Sequence, residues 1–308
     1  MPSNLPAASD DAAGRRSSDD WTVKRILDWT TEHLKQRGSE SPRLDAEILL
    51  AHSRGCRRID LYTRYGEVLT DHQRSVMRNL VRRRANAEPV AYLVGTKEFY
   101  SLPFNVTPDV LIPRPETETL VLEAVELAKA SPAAKLRLLD LCTGSGCIAV
   151  AAAHACPKFD VVAADLSEAA LAIARKNAVL NDVADRIEFR AGDLFESFSA
   201  GESFDIIVSN PPYVADEDEL PADIRLHEPM LALRAGPEGL NVLKRIAQDA
   251  PSRLNPGGHL LLELDPSQAE PVADLLRTSF REVRFVKDLA GMTRFVHAAG
   301  KGEARIDE

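Results

Sequence analysis

From residue 136 onward, apolar runs of strand length alternate with stretches of helical periodicity, and this alternation leaves few folds open. Residues 136–142, 160–164, 187–190, 206–209 and 260–264 read as strands. Residues 148–155, 168–177, 240–249 and 268–276 read as helices between and after them, and 285–286 with 294–297 supply a closing strand pair. Strand and helix in alternation imply an α/β fold: a mostly parallel seven-stranded sheet, Rossmann-like, with helices on both faces.

The first third of the chain is patterned differently. Val23, Ile26, Leu27 and Thr30 recur at helical spacing, Ser41-Pro42 reads as a cap followed by a first-turn proline, and Leu44, Ile48 and Leu49 share one face. A further helix is expected from Thr70 to about Asn86, with Val76, Leu80 and Val81 inward and an arginine cluster around them. These features predict a small all-helical domain over 20–88. Residues 89–112 are rich in strand-formers punctuated by Gly95, Pro103 and Pro108, so a linking β-hairpin is expected before a second domain over 113–300. Residues 1–19 are small, polar and Pro/Gly-containing, which predicts a disordered tail.

Charge separates the two parts. Residues 15–100 carry 17 Lys and Arg against 12 Asp and Glu, whereas the chain as a whole has a formal charge of -9. A basic first part suits either a solvated helical surface or a docking role. An acidic second part argues against broad contact with a nucleic-acid backbone, so no stable nucleic-acid partner is expected. Cys56, Cys142, Cys147 and Cys156 have neither C-x-x-C nor zinc spacing, so they read as reduced thiols and no metal site is expected. No run reaches the roughly 20 apolar residues of a membrane span, and no secretory segment follows Met1. A cytoplasmic, membrane-free protein is the expectation.

The first strand of the alternating region ends in Cys142-Thr143-Gly144-Ser145-Gly146 and opens a helix. Glycines there permit a tight turn and close approach of a ligand to the backbone. Asp165 ends the next strand, 19 residues beyond Gly146, where a carboxylate can accept from ribose hydroxyls. Asp193 follows the third strand, placed to accept from an adenine amino group, with Leu194 beside it. The phosphate-cradling G-x-x-x-x-G-K-[ST] pattern is lacking, which disfavours ATP chemistry but leaves an NAD dehydrogenase open to this point.

The strand at 206–209 then runs into Asn210-Pro211-Pro212-Tyr213. Two prolines cannot continue a ladder, so the chain must leave the sheet at the edge where ligands bind. A planar amide or amino nitrogen is a poor nucleophile. The Asn210 side-chain carbonyl and the Pro211 backbone carbonyl can each accept one of its N–H groups, holding it in line with a sulfonium methyl, while the Tyr213 ring packs on the planar group. His227 has the residue type of a base, but this mechanism requires none. The residues thus indicate methyl transfer to a planar nitrogen, with a DNA or RNA adenine or cytosine amino group and a protein amide both open.

The chain resembles the bacterial release factor glutamine N5-methyltransferase family. The likeness runs from about Trp21 to His297 and includes Ser41-Pro42-Arg43-Leu44-Asp45-Ala46-Glu47, Leu111-Ile112-Pro113-Arg114-Pro115-Glu116-Thr117-Glu118, Glu228-Pro229 and Asp288-Leu289-Ala290-Gly291, besides the Gly-x-Gly and Asn-Pro-Pro-Tyr segments. The resemblance implies a class I methyltransferase fold acting as a monomer. Its donor would be S-adenosyl-L-methionine and its target the glutamine of the Gly-Gly-Gln loop of peptide chain release factors. It implies that Asn210, Pro211, Pro212 and Tyr213 enclose the target amide. Cys142, Thr143, Gly144, Ser145, Gly146, Asp165, Asp193, Leu194 and Asn210 would meet the donor. Phe99 and Arg114 would wall the site, and the helical domain would dock the release factor. Two departures stand out: Cys142 replaces a common glycine, and a common Glu-Ile-Gly appears as Glu263-Leu264-Asp265-Pro266.

Overall fold

The computed structural model describes residues 20–288 and 290–301, and the expected disordered tail at 1–19 lies outside them. The chain divides into two compact units between Asn86 and Ala87.

The first unit is all-helical: α1 (Val23–Gln36), α2 (Pro42–Arg54), α3 (Arg58–Thr63) and α4 (Asp71–Arg84). The Thr22 hydroxyl caps α1 by accepting from the Arg25 amide, and Thr70 with Gln73 forms a capping box on α4. Ser41 makes no side-chain cap bond, so α2 starts on the fixed φ of Pro42 alone. Val23, Leu27, Leu34, Leu49, Leu50 and Leu61 are fully buried at the centre. Several basic side chains are tied up internally. Glu47, 3 % exposed, accepts from Arg43 (2.7 Å) and Tyr62 (2.6 Å), and Arg84 donates to Asp45 (2.8 Å).

The second unit opens with α5 (Val90–Val94), then a hairpin of β1 (Thr96–Phe99) and β2 (Leu102–Asn105). The expected hairpin over 89–112 is therefore shorter. Pro89 starts a helical turn and Gly95 ends it in the left-handed conformation, so β-formers such as Val90 and Tyr92 are helical. Helix α6 (Glu118–Ala130) follows a 3-10 turn at Pro115–Thr117. Alternation then begins: β3 (Leu136–Leu141), α7 (Cys147–Ala155), β4 (Phe159–Asp165), α8 (Glu168–Leu180), β5 (Ile187–Ala191), β6 (Phe204–Ser209), the short α9 (Ala222–His227), α10 (Asn241–Arg253), β7 (Leu254–Glu263), α11 (Ala269–Arg277), β8 (Phe280–Lys287) and β9 (Thr293–Lys301).

The seven strands β3–β9 form one sheet in the order β5-β4-β3-β6-β7-β9-β8. Neighbours from β5 through β7 are parallel, and β9 pairs antiparallel with both β7 and β8. Successive residues of each strand serve opposite faces. Leu138, Val161, Ile206, Val208 and Leu261 join one core with residues of α6 and α7. Leu139, Leu141, Val162, Ile207, Leu260 and Leu262 join the other with α10 and α11. The chain runs outward from β3 to β5 and returns to β6 on the other side of β3, which makes the carboxyl ends of β3 and β6 the switch point of the sheet.

At the antiparallel edge, His259 on β7 and His297 on β9 face each other, Nδ1 to Nε2 at 3.0 Å. Burial, reinforced by the positive Arg284 and by His259, holds the His297 pKa down to about 4 from 6.5. The unfolded chain therefore takes up this proton first as pH falls. Stability due to a neutral His297 is complete above pH 6.5 and is lost toward pH 4. Between pH 7 and pH 5, urea titrations should show the wild type losing about 2 kcal/mol more than His297→Phe. Equal losses would show that His297 is protonated normally in the fold.

Candidate active site

The first residues after four adjacent strands line a single cavity of about 280 Å³: Cys142 after β3, Leu166 after β4, Gly192 after β5 and Asn210 after β6. Gly144, Asp165, Asp193, Leu194 and Pro212 also line it. Sequence positions spread over 70 residues are thus brought together because parallel strands deliver their carboxyl ends to one edge.

The turn after β3 is built for tightness. Cys142, Gly144 and Gly146 all have φ near the left-handed region, at 60°, 56° and 79°. A Cβ on Gly146 would lie 2.9 Å from that of Ala174, so this glycine lets α7 start against α8. Cys142 holds a conformation that favours glycine while carrying a side chain, and burial raises its thiol pKa. Thr143 and Ser145 are 4 % and 2 % exposed and do not line the cavity. The Thr143 hydroxyl instead donates to Asp140 (2.6 Å), which also accepts from the Ala149 amide at the start of α7. Burial pushes the Asp140 carboxyl up to about 7, its two donors opposing. Asp140 is thus a support of the turn that the sequence reading passed over.

Asp165 has one oxygen accepting from the Gly144 amide and the other from the Ser167 amide, each at 2.8 Å. Each oxygen has a second lone pair left for a hydroxyl. Asp193 pairs with Arg245 (3.0 Å) at the cavity wall. Three carboxylates (Asp109, Asp165 and Asp193), an apolar surface from Leu111, Leu194 and Val242, and cations limited to Arg234 and Arg245 make a lining suited to a nucleoside with free hydroxyls. The Arg234 guanidinium is itself spent on the Ala215 and Asp218 carbonyls. S-adenosyl-L-methionine has this chemistry, and a pyrophosphate does not.

The segment after β6 is held from several sides. The Ser209 hydroxyl donates to the Leu141 carbonyl (2.7 Å), and the Asn210 Nδ2 donates to Thr117 Oγ1 (3.1 Å). Thr117 donates in turn to Glu263 Oε2 (2.7 Å), and the Tyr213 hydroxyl reaches Glu263 Oε1 (3.3 Å). The Tyr213 carbonyl accepts from Gln268 Nε2 (2.8 Å), and Val214 bridges to Arg234. Among the described residues, neither Asn210 Oδ1 nor the Pro211 carbonyl receives a hydrogen bond. Two acceptors on a stiff, proline-braced segment are therefore free to meet two N–H groups. Burial raises the Tyr213 phenol pKa, with Glu263 adding, and pushes the Glu263 carboxyl up to about 7, opposed by its Thr117 and Tyr213 donors.

Two other candidates sit differently from expectation. Phe99 is 1 % exposed and packs edge-on against Phe104 in the core, away from the cavity lining. Its contribution is to hold the hairpin against the unit. Arg114 donates to Glu228 Oε1 (2.6 Å), and Glu228 Oε2 accepts from the Ile112 amide (3.1 Å). This buried carboxylate fastens the junction segment to the turn after α9. Thr117, Glu263, Gln268 and Glu228 were missed as site residues. Each is at least 50 residues from the group it holds, so no local pattern pairs the two.

Residues 25–95 match the PrmC N-terminal domain model and residues 119–226 the methyltransferase small domain model. The release factor glutamine methyltransferase of Rhodopirellula baltica is 47 % identical over 282 residues, covering 90 % of this chain and 95 % of its own. The chain belongs to the release factor glutamine methyltransferase family. The Geobacter sulfurreducens member is 42 % identical over 279 residues, covering 90 % of this chain and 96 % of its own. At 17 % identity the catalytic domain of hMettl16, solved with an RNA hairpin, shares the fold: the TM-score is 0.52, over 78 % of this chain and 86 % of that one. Beyond Glu263, Asp265 caps the 3-10 turn at Pro266–Gln268, which delivers Gln268 to Tyr213.

Proposed function

We propose that this chain transfers a methyl group from S-adenosyl-L-methionine to the side-chain amide N5 of the glutamine in the Gly-Gly-Gln motif of peptide chain release factors. The observation that carries this reading is the pair of acceptors without protein donors, Asn210 Oδ1 and the Pro211 carbonyl, beside a cavity suited to a nucleoside. Family membership selects the protein amide over a nucleobase amine.

When bound, the donor supplies an electrophilic sulfonium methyl. Cys142, Gly144, Asp165, Asp193 and Leu194 would hold it, on the turn that Thr143, Ser145 and Gly146 shape. Asn210 and Pro211 would take one N–H each, which turns the nitrogen lone pair away from the clamp and toward the methyl. Both carbonyl dipoles favour the positive charge that develops on nitrogen. The C–S bond breaks as the N–C bond forms, and the surplus N–H proton then leaves to water, because a protonated amide nitrogen is strongly acidic. Pro212 and the Tyr213 ring would enclose the planar group.

We assign docking of the release factor to the helical unit. A groove of about 640 Å³ there is lined by Trp21, Trp29, Met77, Arg37, Arg78 and Arg82, with Trp29 51 % exposed. Aromatic and guanidinium groups together suit a protein surface. One copy supplies every group of the amide clamp, so a monomer suffices. Among the described residues no helix is long and apolar enough to cross a membrane.

The test incubates the protein with labelled donor and either a release factor or nucleic acid. Peptide mass mapping should place one methyl on the Gly-Gly-Gln glutamine. Transfer to nucleic acid alone would overturn the reading.

A further inference from the structure

Thr117 ends the 3-10 turn before α6, and Glu263 ends β7. Both are almost fully buried, at 1 % and 2 % exposed, and neither lines the cavity. Yet each is bonded to the segment that carries the amide clamp. The Thr117 hydroxyl has a single proton. It lies 2.7 Å from Glu263 Oε2, and in its ionised form, which prevails above about pH 7, Glu263 has no proton to offer, so there the hydroxyl donates to it. Its remaining lone pairs can only accept. The Asn210 group 3.1 Å away must therefore be the NH2 end of the carboxamide. Oδ1 is left at the other end, the one polar atom of the Asn210 side chain able to accept from a substrate N–H.

A carboxamide turned end for end fills the same space and would turn its own N–H donors toward the target nitrogen, which has only N–H groups to offer. Shape alone does not select the productive orientation; the proton order of the relay does. The other oxygen of Glu263 takes the Tyr213 hydroxyl, so one carboxylate governs both side chains of the segment.

We propose that Thr117 and Glu263 are positioning residues whose directed hydrogen-bond relay, Asn210 to Thr117 to Glu263, sets the Asn210 carboxamide with its oxygen toward the target amide. This rests on the reading that Asn210 binds the substrate nitrogen. The relay is assembled from three distant segments, and a buried hydroxyl and a buried carboxylate meet there with both partners satisfied. Such an arrangement costs stability when one partner is removed and is not needed to fill the space.

The experiment measures release factor methylation and S-adenosyl-L-methionine binding for the full chain and four variants: Thr117→Val, Thr117→Ser, Glu263→Met, and Thr117→Val combined with Glu263→Met. Valine keeps the volume of threonine without the hydroxyl, and methionine keeps that of glutamate without an acceptor. Thr117→Val and Glu263→Met should each lower kcat at least tenfold, with the donor Kd and the KM for release factor within about threefold of wild type. Thr117→Ser, which restores the hydroxyl, should retain at least half the wild-type kcat. The double variant should lose less than the product of the single losses, since both break one relay. If Thr117→Val melts too early to assay, Glu263→Met carries the test. A kcat within twofold of wild type in either folded variant, or Thr117→Ser as impaired as Thr117→Val, would overturn the relay while the parent reading stands. Absence of release factor methylation by the wild type itself would overturn both.

Discussion

Asn210→Ala should lower kcat for release factor methylation by at least a hundredfold, with S-adenosyl-L-methionine binding changed by no more than a few-fold. The truncation removes one of the two acceptors of the clamp and the NH2 that Thr117 accepts from. Loss of a single preorganised group of this kind costs about a hundred- to a thousandfold. The donor side is spared because its contacts come from other strands: Asp165 from the end of β4, bonded to Gly144 and Ser167, and Asp193 beyond β5, paired with Arg245. Asn210 contributes only one of the residues around that cavity. Steady-state kinetics with calorimetric donor titration separate the two effects. A variant that turns over at the wild-type rate would sink the clamp. One that loses donor binding as steeply as turnover would move Asn210 from the substrate side to the donor side.

What the sequence disclosed, and what it hid, divides along physical lines. The parallel sheet was legible because β3, β4, β6 and β7 are buried on both faces and read as apolar runs. The cavity was legible because its residues follow those runs directly, as Cys142 and Asn210 do. The hairpin was misjudged in extent. Its turn uses Tyr100 and Ser101 at φ 53° and 59°, where Asn-Gly would have announced it, and Val90–Val94 is helical despite β-branched residues. A five-residue helix is set by its stop signal and packing more than by propensity. The supports of the clamp were hidden for another reason. Thr117 and Glu263 bond across 146 positions, and Asn210 lies 93 from Thr117, so only the closed sheet brings them together. A buried threonine in a helix start and a glutamate ending an apolar strand look, in a linear reading, like a cap and a strand end.

Gly239→Ala should be the most damaging change outside the clamp, because of where its Cβ must go. Gly239 has φ 69°, and a Cβ there would lie 2.1 Å from the Tyr213 carbonyl oxygen, 2.7 Å from Gln268 Nε2 and 3.0 Å from the Ala215 amide nitrogen. Two of these are backbone atoms of the segment that carries the amide acceptors, and the third is the side chain that bonds the Tyr213 carbonyl. The Gln268 end is itself held, buried, by the Tyr213, Glu238 and Gly239 carbonyls. The left-handed conformation costs about 1–2 kcal/mol and forced overpacking a further 1–3 kcal/mol. Together these should lower the melting temperature by roughly 10 °C for a unit of this size. Relief can only come by pushing Tyr213 and Ala215 off Gly239, which moves the phenol from Glu263 and shifts the Pro211 carbonyl two residues upstream. Turnover of the folded variant should therefore fall more than tenfold at a temperature where it remains native. Gly257→Ala separates the causes: Gly257 has φ 78° but nothing within 4 Å of its would-be Cβ. That variant should pay only the conformational term, melt a few degrees lower and keep its kcat. If the two variants melt alike and turn over alike, the close approach at Tyr213 has no consequence, and the rigidity ascribed to the segment must come from its prolines alone.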